Sequence, residues 1–96
     1  MQVQDVITLE DNLEYLLVTE IELDNQNYFL AVGVEGENIY TEDHFFCKAV
    51  KEEDGEYIDE VTDELTIKTL YNLLAAQESM EEFPEIIDKI IEEDSI

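Results

Sequence analysis

Along the first two thirds of the chain, apolar and polar residues alternate with a period of two. That is the pattern of strands that cover a core on one side and meet water on the other. Val3, Asp5, Ile7 and Leu9 share one face of a first strand, with Asp5 out of character, and the run stops at Glu10-Asp11-Asn12. The clearest alternation follows, with Leu13, Tyr15, Leu17, Thr19, Ile21 and Leu23 on one side and Glu14, Glu20, Glu22 and Asp24 on the other. It predicts a long strand closed by a turn at Asp24-Asn25-Gln26-Asn27, because Asn and Asp side chains bond their own backbone and tolerate positive φ. A third strand is expected over Tyr28–Val34, then a turn at Glu35-Gly36-Glu37-Asn38 and a short extended piece at Ile39-Tyr40. Past a polar break, a further strand is expected from His44 to Lys51. Glu52-Glu53-Asp54-Gly55 supplies the next reversal, before a short strand around Tyr57 and Ile58.

From Asp63 the period changes. Ile67, Leu70, Tyr71 and Leu74 stand at i, i+3, i+4 and i+7, which predicts a helix capped by Thr62 or Asp63 and reaching Gln77. A second helix is best started near Pro84, since a proline deeper inside would remove a backbone hydrogen bond; Ser79 with Glu82 resembles a capping box that would start it earlier. On this helix Phe83, Ile86, Ile87, Ile90 and Ile91 cluster on one side and Glu81, Glu85, Asp88 and Glu92 lie almost opposite. Glu93 to Ile96 are expected to fray. Strands first and helices last predict a single α+β domain. Residues 1–60 form an antiparallel β-meander of four to five strands, and residues 63–77 and 84–93 form two helices packed on one face of it, over the Leu13–Leu23 stripe.

Composition sharpens this picture. A chain of 96 residues can bury one small core, and 45% hydrophobic content supplies the apolar surface for it. Charge changes the reading more: 27 Asp and Glu face 4 Lys and no Arg, a net of -23. Such a chain repels nucleic acid and anionic membrane, so its natural partner is a basic protein surface. Solubility of a small domain asks for a net charge of only about 2 to 8 in magnitude. The surplus implies a use.

Three groups of carboxylates are candidate partner-binding residues. Glu20, Glu22 and Asp24 project from one side of a strand about 6.6 to 6.8 Å apart. Glu81, Glu85, Asp88 and Glu92 form a row on the second helix. Glu52, Glu53, Asp54, Glu56, Asp59 and Glu60 belong to the densest acidic run, which continues to Asp63 and Glu64. Rows of this kind imitate the phosphates of a nucleic acid, so the expected function is non-enzymatic: an acidic interaction protein that fills the basic channel of a nucleic-acid-binding protein, such as a nuclease, and inhibits it. The alternative is a small soluble protein whose charge serves solubility, with the apolar face of the last helix as a homodimer or partner-docking face.

Catalytic chemistry has few constructions here. His44 and Cys47 are the only histidine and cysteine, and their odd spacing sends them to opposite faces of a strand. An exposed His beside a buried Cys is expected. Fitting Gly55 to the sixth position of a calcium-binding EF-hand loop puts Val50 first and Val61 twelfth, where carboxylates belong. No catalytic, cofactor-binding or metal-ligating residue is therefore expected. The start of the chain lacks the basic and apolar segments of a signal peptide, and no stretch approaches the ~20 apolar residues of a membrane span, which together predict a cytoplasmic protein. The lone Cys47 fits a reducing compartment.

Ile7-Thr8-Leu9-Glu10-Asp11, Tyr28-Phe29-Leu30-Ala31-Val32 and Glu52-Glu53-Asp54-Gly55-Glu56 follow one another in an order that resembles the YrzB-like family. These are small acidic cytoplasmic bacterial proteins of no established activity. The resemblance runs from Asp5 to Leu74 and lies in pattern more than in motif. It departs from the family in Gly33, where proline is frequent, and in the Ile-rich C-terminal helix. It implies cytoplasmic location and no known enzyme activity, and carries no catalytic residues.

Overall fold

A computed structural model describes residues 2–76 and 84–94. Five strands, β1 (Val6–Thr8), β2 (Glu14–Leu23), β3 (Gln26–Glu35), β4 (Asn38–Glu52) and β5 (Gly55–Glu60), precede two helices, α1 (Glu64–Ala76) and α2 (Pro84–Asp94). The strands pair in chain order, each antiparallel to the next, so the sheet is a meander with β1 and β5 as its edges. This is the expected α+β architecture.

Local chemistry explains the reversals. Asp24 and Asn25, at φ of 53° and 65°, form a two-residue turn between the paired Leu23 and Gln26. Two successive left-handed residues match the twist of the flanking strands. Gln26 and Asn27, expected in the turn, therefore already belong to β3. Gly36 takes the left-handed position between β3 and β4 at a φ of 61°. The first strand is shorter than its alternation suggests, although Val3, Asp5, Ile7 and Leu9 are all half-buried, as that alternation requires. Asp5 fits because its carboxylate accepts the Gln2 backbone N–H at 3.0 Å.

Two bulges reshape the sheet. In β2 the pairing passes from Leu17–Ala31 to Thr19–Leu30, so Val18 has no opposite number. The extra residue reverses the facing of everything beyond it, because side chains alternate strictly along a strand. The expected single stripe from Leu13 to Leu23 is thus split. Ile21 faces the helices, Tyr15 and Leu17 face away from them, and Leu13 is 52% exposed. In β4, Val32 pairs with His44 and Gly33 with Tyr40, leaving Thr41, Glu42 and Asp43 as an excursion from the β3–β4 ladder. The expected polar break is this excursion inside one continuous strand.

Consequently the sheet has apolar residues on both faces. On the helix face, Val18, Ile21, Leu30, Val32 and Phe46 pack with Leu70 and Leu74 of α1 and Ile87 and Ile90 of α2. On the open face, Tyr15, Leu17, Phe29, Ala31 and Cys47 form a second core, flanked by Ile7, Leu9, Phe45 and Ile58. Neither α1 nor α2 covers this second core; the sheet curls over it. Leu9, just past β1, and Ile58 on β5 both pack against it, which draws the two edges of the sheet toward one another.

Two helices follow the sheet over the expected stretches, and Gln77, the expected end of the first, lies outside the described residues. Asp63 is the α1 cap: its carboxylate accepts the Thr66 N–H at 2.9 Å and the Thr66 hydroxyl at 2.7 Å. These bonds hold the Asp63 carboxyl below its ordinary value. Pro84 opens α2, whose helical backbone continues to Asp94, past the expected fraying point at Glu93. Phe83, and Ser79 with Glu82, lie outside the described residues.

Candidate protein-binding surface

Antiparallel pairing sends alternate connections to opposite ends of the sheet. One end, the hairpin end, carries the β2–β3 turn at Asp24-Asn25 and the β4–β5 turn at Glu53-Asp54. The other, the cap end, carries the β1–β2 loop, the β3–β4 turn at Gly36-Glu37 and the last residues of β5.

The hairpin end gathers most of the candidates read from the sequence. Glu20, Glu22 and Asp24 are exposed on or beside β2, and Glu52, Glu53, Asp54 and Glu56 are exposed around the β4–β5 turn. Glu20 and Glu56 line one hollow of about 390 Å³, together with Phe29, Ala49 and Lys51. Cations offset the acids here. Lys51 pairs across the ladder with Glu56, and Lys48 Nζ lies 4.0 Å from an Asp59 carboxylate oxygen. Tyr57 donates its hydroxyl to Asp54 at 2.8 Å, which raises the Tyr57 hydroxyl above its ordinary value.

The helix row stands elsewhere. Glu85, Asp88 and Glu92 are exposed on α2 while Ile87 and Ile90 are buried beneath it, so this row lies on the side of the sheet opposite to Glu20 and Glu22. The two rows therefore do not form one continuous rail. Glu81 lies outside the described residues. Among the described residues of α2, the apolar side packs on the chain's own sheet as core rather than standing free as the alternative docking face.

At the cap end the structure assembles a second acidic surface, from segments far apart in sequence. Glu14, Glu35, Glu42 and Asp43 line a cleft of about 570 Å³ with Asn12, Leu13 and Tyr40. Beside it, across the β1–β2 loop, Glu10, Asp11 and Glu60 rim a smaller hollow of about 370 Å³ whose walls are Leu9, Phe45 and Ile58. Of these acids only Glu60 is among the sequence candidates. The electrostatics show the convergence: the Tyr15 hydroxyl is held above its ordinary value, first by burial and then by the charges of Asp43, Asp11 and Glu60. These come from three separate segments. No lysine lines either hollow, and Lys48 is the first cation in the chain.

Sequence reasoning passed over Glu10, Asp11, Glu14, Glu35, Glu42 and Asp43 because they are scattered in ones and twos. The available signal was the absence of any lysine or arginine from residues 1–47, combined with the meander order, which stacks their turns at one end.

His44 and Cys47 do lie on opposite faces, as expected, but His44 is not the exposed residue anticipated. It is half-buried on the helix face, with Nδ1 2.6 Å from the Thr41 carbonyl oxygen and Nε2 2.7 Å from the Tyr71 hydroxyl of α1. A carbonyl only accepts, so Nδ1 carries the proton, and in the neutral ring Nε2 accepts from Tyr71. The histidine is a structural link between sheet and helix. Cys47 is fully buried, and burial, with a smaller effect of Glu60, pushes its thiol up to about 11. Among the described residues no three His, Cys, Asp or Glu side chains converge as metal ligands would, and no helix is long and apolar enough to cross a membrane.

No protein-family model, curated protein or solved structure matches this chain.

Proposed function

We propose that this protein is a non-enzymatic acidic interaction module that binds a basic protein surface, and that it does so as a nucleic-acid mimic occupying the basic groove of a nucleic-acid-binding protein such as a nuclease. One observation carries the reading: carboxylates from the β1–β2 loop, β3, β4 and β5 are gathered at the cap end with no lysine among them. Charge serving only solvation has no need of such gathering. Each added like charge costs repulsion, and leaving that repulsion uncompensated is useful where a cationic groove relieves it on binding. The cytoplasm, where such partners are abundant, is the compartment this reading assumes, in keeping with the resemblance to YrzB-like proteins.

The test is capture from lysate on immobilised protein at low and high salt, followed by competition of the captured partner with duplex DNA or RNA. The expected result is a basic nucleic-acid-binding protein retained at low salt, lost at high salt and displaced by the nucleic acid. Retention of no basic protein at low salt would defeat the proposal. A partner that nucleic acid does not displace would leave acidic recognition standing and remove the mimicry.

A further inference from the structure

We infer that the hollow at the seam of the curled sheet is a receptor for a single arginine side chain of the basic partner; this rests on the reading that the partner is basic. The seam joins an apolar wall to a charged rim. Leu9, Phe45 and Ile58 line the hollow, and each is half-buried, so each still presents surface to a visitor. Asp11 and Glu60 stand exposed on its two banks, one from the loop after β1 and one from the end of β5.

That combination selects among cations. An arginine side chain has an apolar stem that fits against Leu9 and Ile58, a flat guanidinium that stacks on an aromatic ring such as Phe45, and a fork of N–H donors that bonds two carboxylates at once. A lysine ammonium is compact and strongly hydrated, and gains less from an aromatic and aliphatic wall. The ring itself is held in place: Phe45 meets Tyr15 edge-on, with centroids 5.0 Å apart and planes at 78°. A fixed ring offers its surface without first losing rotational freedom.

Two other hollows among the described residues lack this design. The hollow at the hairpin end contains Lys51, a cation of the chain itself. In the neighbouring cap-end cleft the aromatic residue, Tyr40, is 39% exposed, and the buried lining is the backbone of Gly33.

The experiment uses the full chain and two short probes of equal charge, a tetra-arginine and a tetra-lysine peptide, titrated at low salt by calorimetry and by NMR. The arginine peptide is expected to bind more tightly, with shift changes centred on Leu9, Phe45 and Ile58. A double variant Asp11→Asn, Glu60→Gln is expected to weaken binding of the arginine peptide about tenfold and of the lysine peptide less than about twofold. Equal losses for the two peptides, or equal affinity for them, overturn the arginine receptor while leaving a general acidic surface intact. Absence of binding by either peptide overturns both. Shift mapping on the unaltered chain keeps the inference testable if a variant misfolds, and changes centred away from the seam refute it.

Discussion

His44, Asp63 and Cys47 show how differently single side chains reveal themselves. The cap was readable as Thr62 or Asp63 because the demand for an N–H acceptor at a helix start is local, and the structure gives the role to Asp63. Replacing it with Ala is expected to lower the melting temperature at neutral pH. The Asp63 carboxyl lies below its ordinary 3.8 when folded, so its contribution is present above that value and is lost as pH falls through the depressed one. The gap between the two proteins should therefore close in acid; a gap unchanged down to pH 2 would refute the charged cap. Cys47 was readable as buried from its place in an apolar strand. With its thiol raised to about 11, it favours folding below its ordinary 9.0, and that contribution is lost as pH rises through the folded value. A thiol reagent at pH 8 should label it only at the rate of unfolding. Fast labelling of the native protein would contradict its burial. His44 was misread as exposed because its partner, Tyr71, lies 27 residues away on a helix.

Elements were legible where one period persisted and illegible where it broke. The two helices and four strand reversals follow from periodicity and turn residues, and appear nearly where those place them. The bulge in β2 breaks no rule of composition: Leu16, Leu17 and Val18 are all apolar, so nothing in the run marks which residue is the extra one. Its effect is to create two cores where one was expected. Leu17 and Leu70, both fully buried, lie in different cores. Each change to Ala is expected to destabilise by about 2 to 5 kcal/mol in urea unfolding. A cost for Leu17→Ala below about 1 kcal/mol would mean that the open face is not closed over by the curled sheet.

For the molecule as a whole, charge is the dominant quantity. A net of -23 on 96 residues opposes compaction, and salt relieves that opposition by shortening the reach of each charge from about 30 Å at 0.01 M to about 8 Å at 0.15 M. The melting temperature is therefore expected to rise as sodium chloride is added over this range. A flat or falling curve would show that the carboxylates are already balanced within the fold. The same salt should weaken capture of a basic partner, so stability and binding ought to move in opposite directions. That pairing separates screening of surface charge from general loss of structure.

Strand and helix periods, turn residues and net charge are properties of short stretches or of simple sums, and they were enough to specify a meander followed by two helices and a strongly negative molecule. Which acids stand together was not a property of that kind. The densest run, Glu52 to Glu60, is distributed over a hairpin with lysines beside it, whereas isolated acids at positions 10, 11, 14, 35, 42 and 43 meet at the cap end because antiparallel strands return their turns to the same place. Curling then brings Asp11 and Glu60 to the two banks of one hollow. Charge adds up along a chain, but a surface is made by the contacts that fold it, and here those contacts depend on one extra residue in β2 and on the approach of the sheet's two edges.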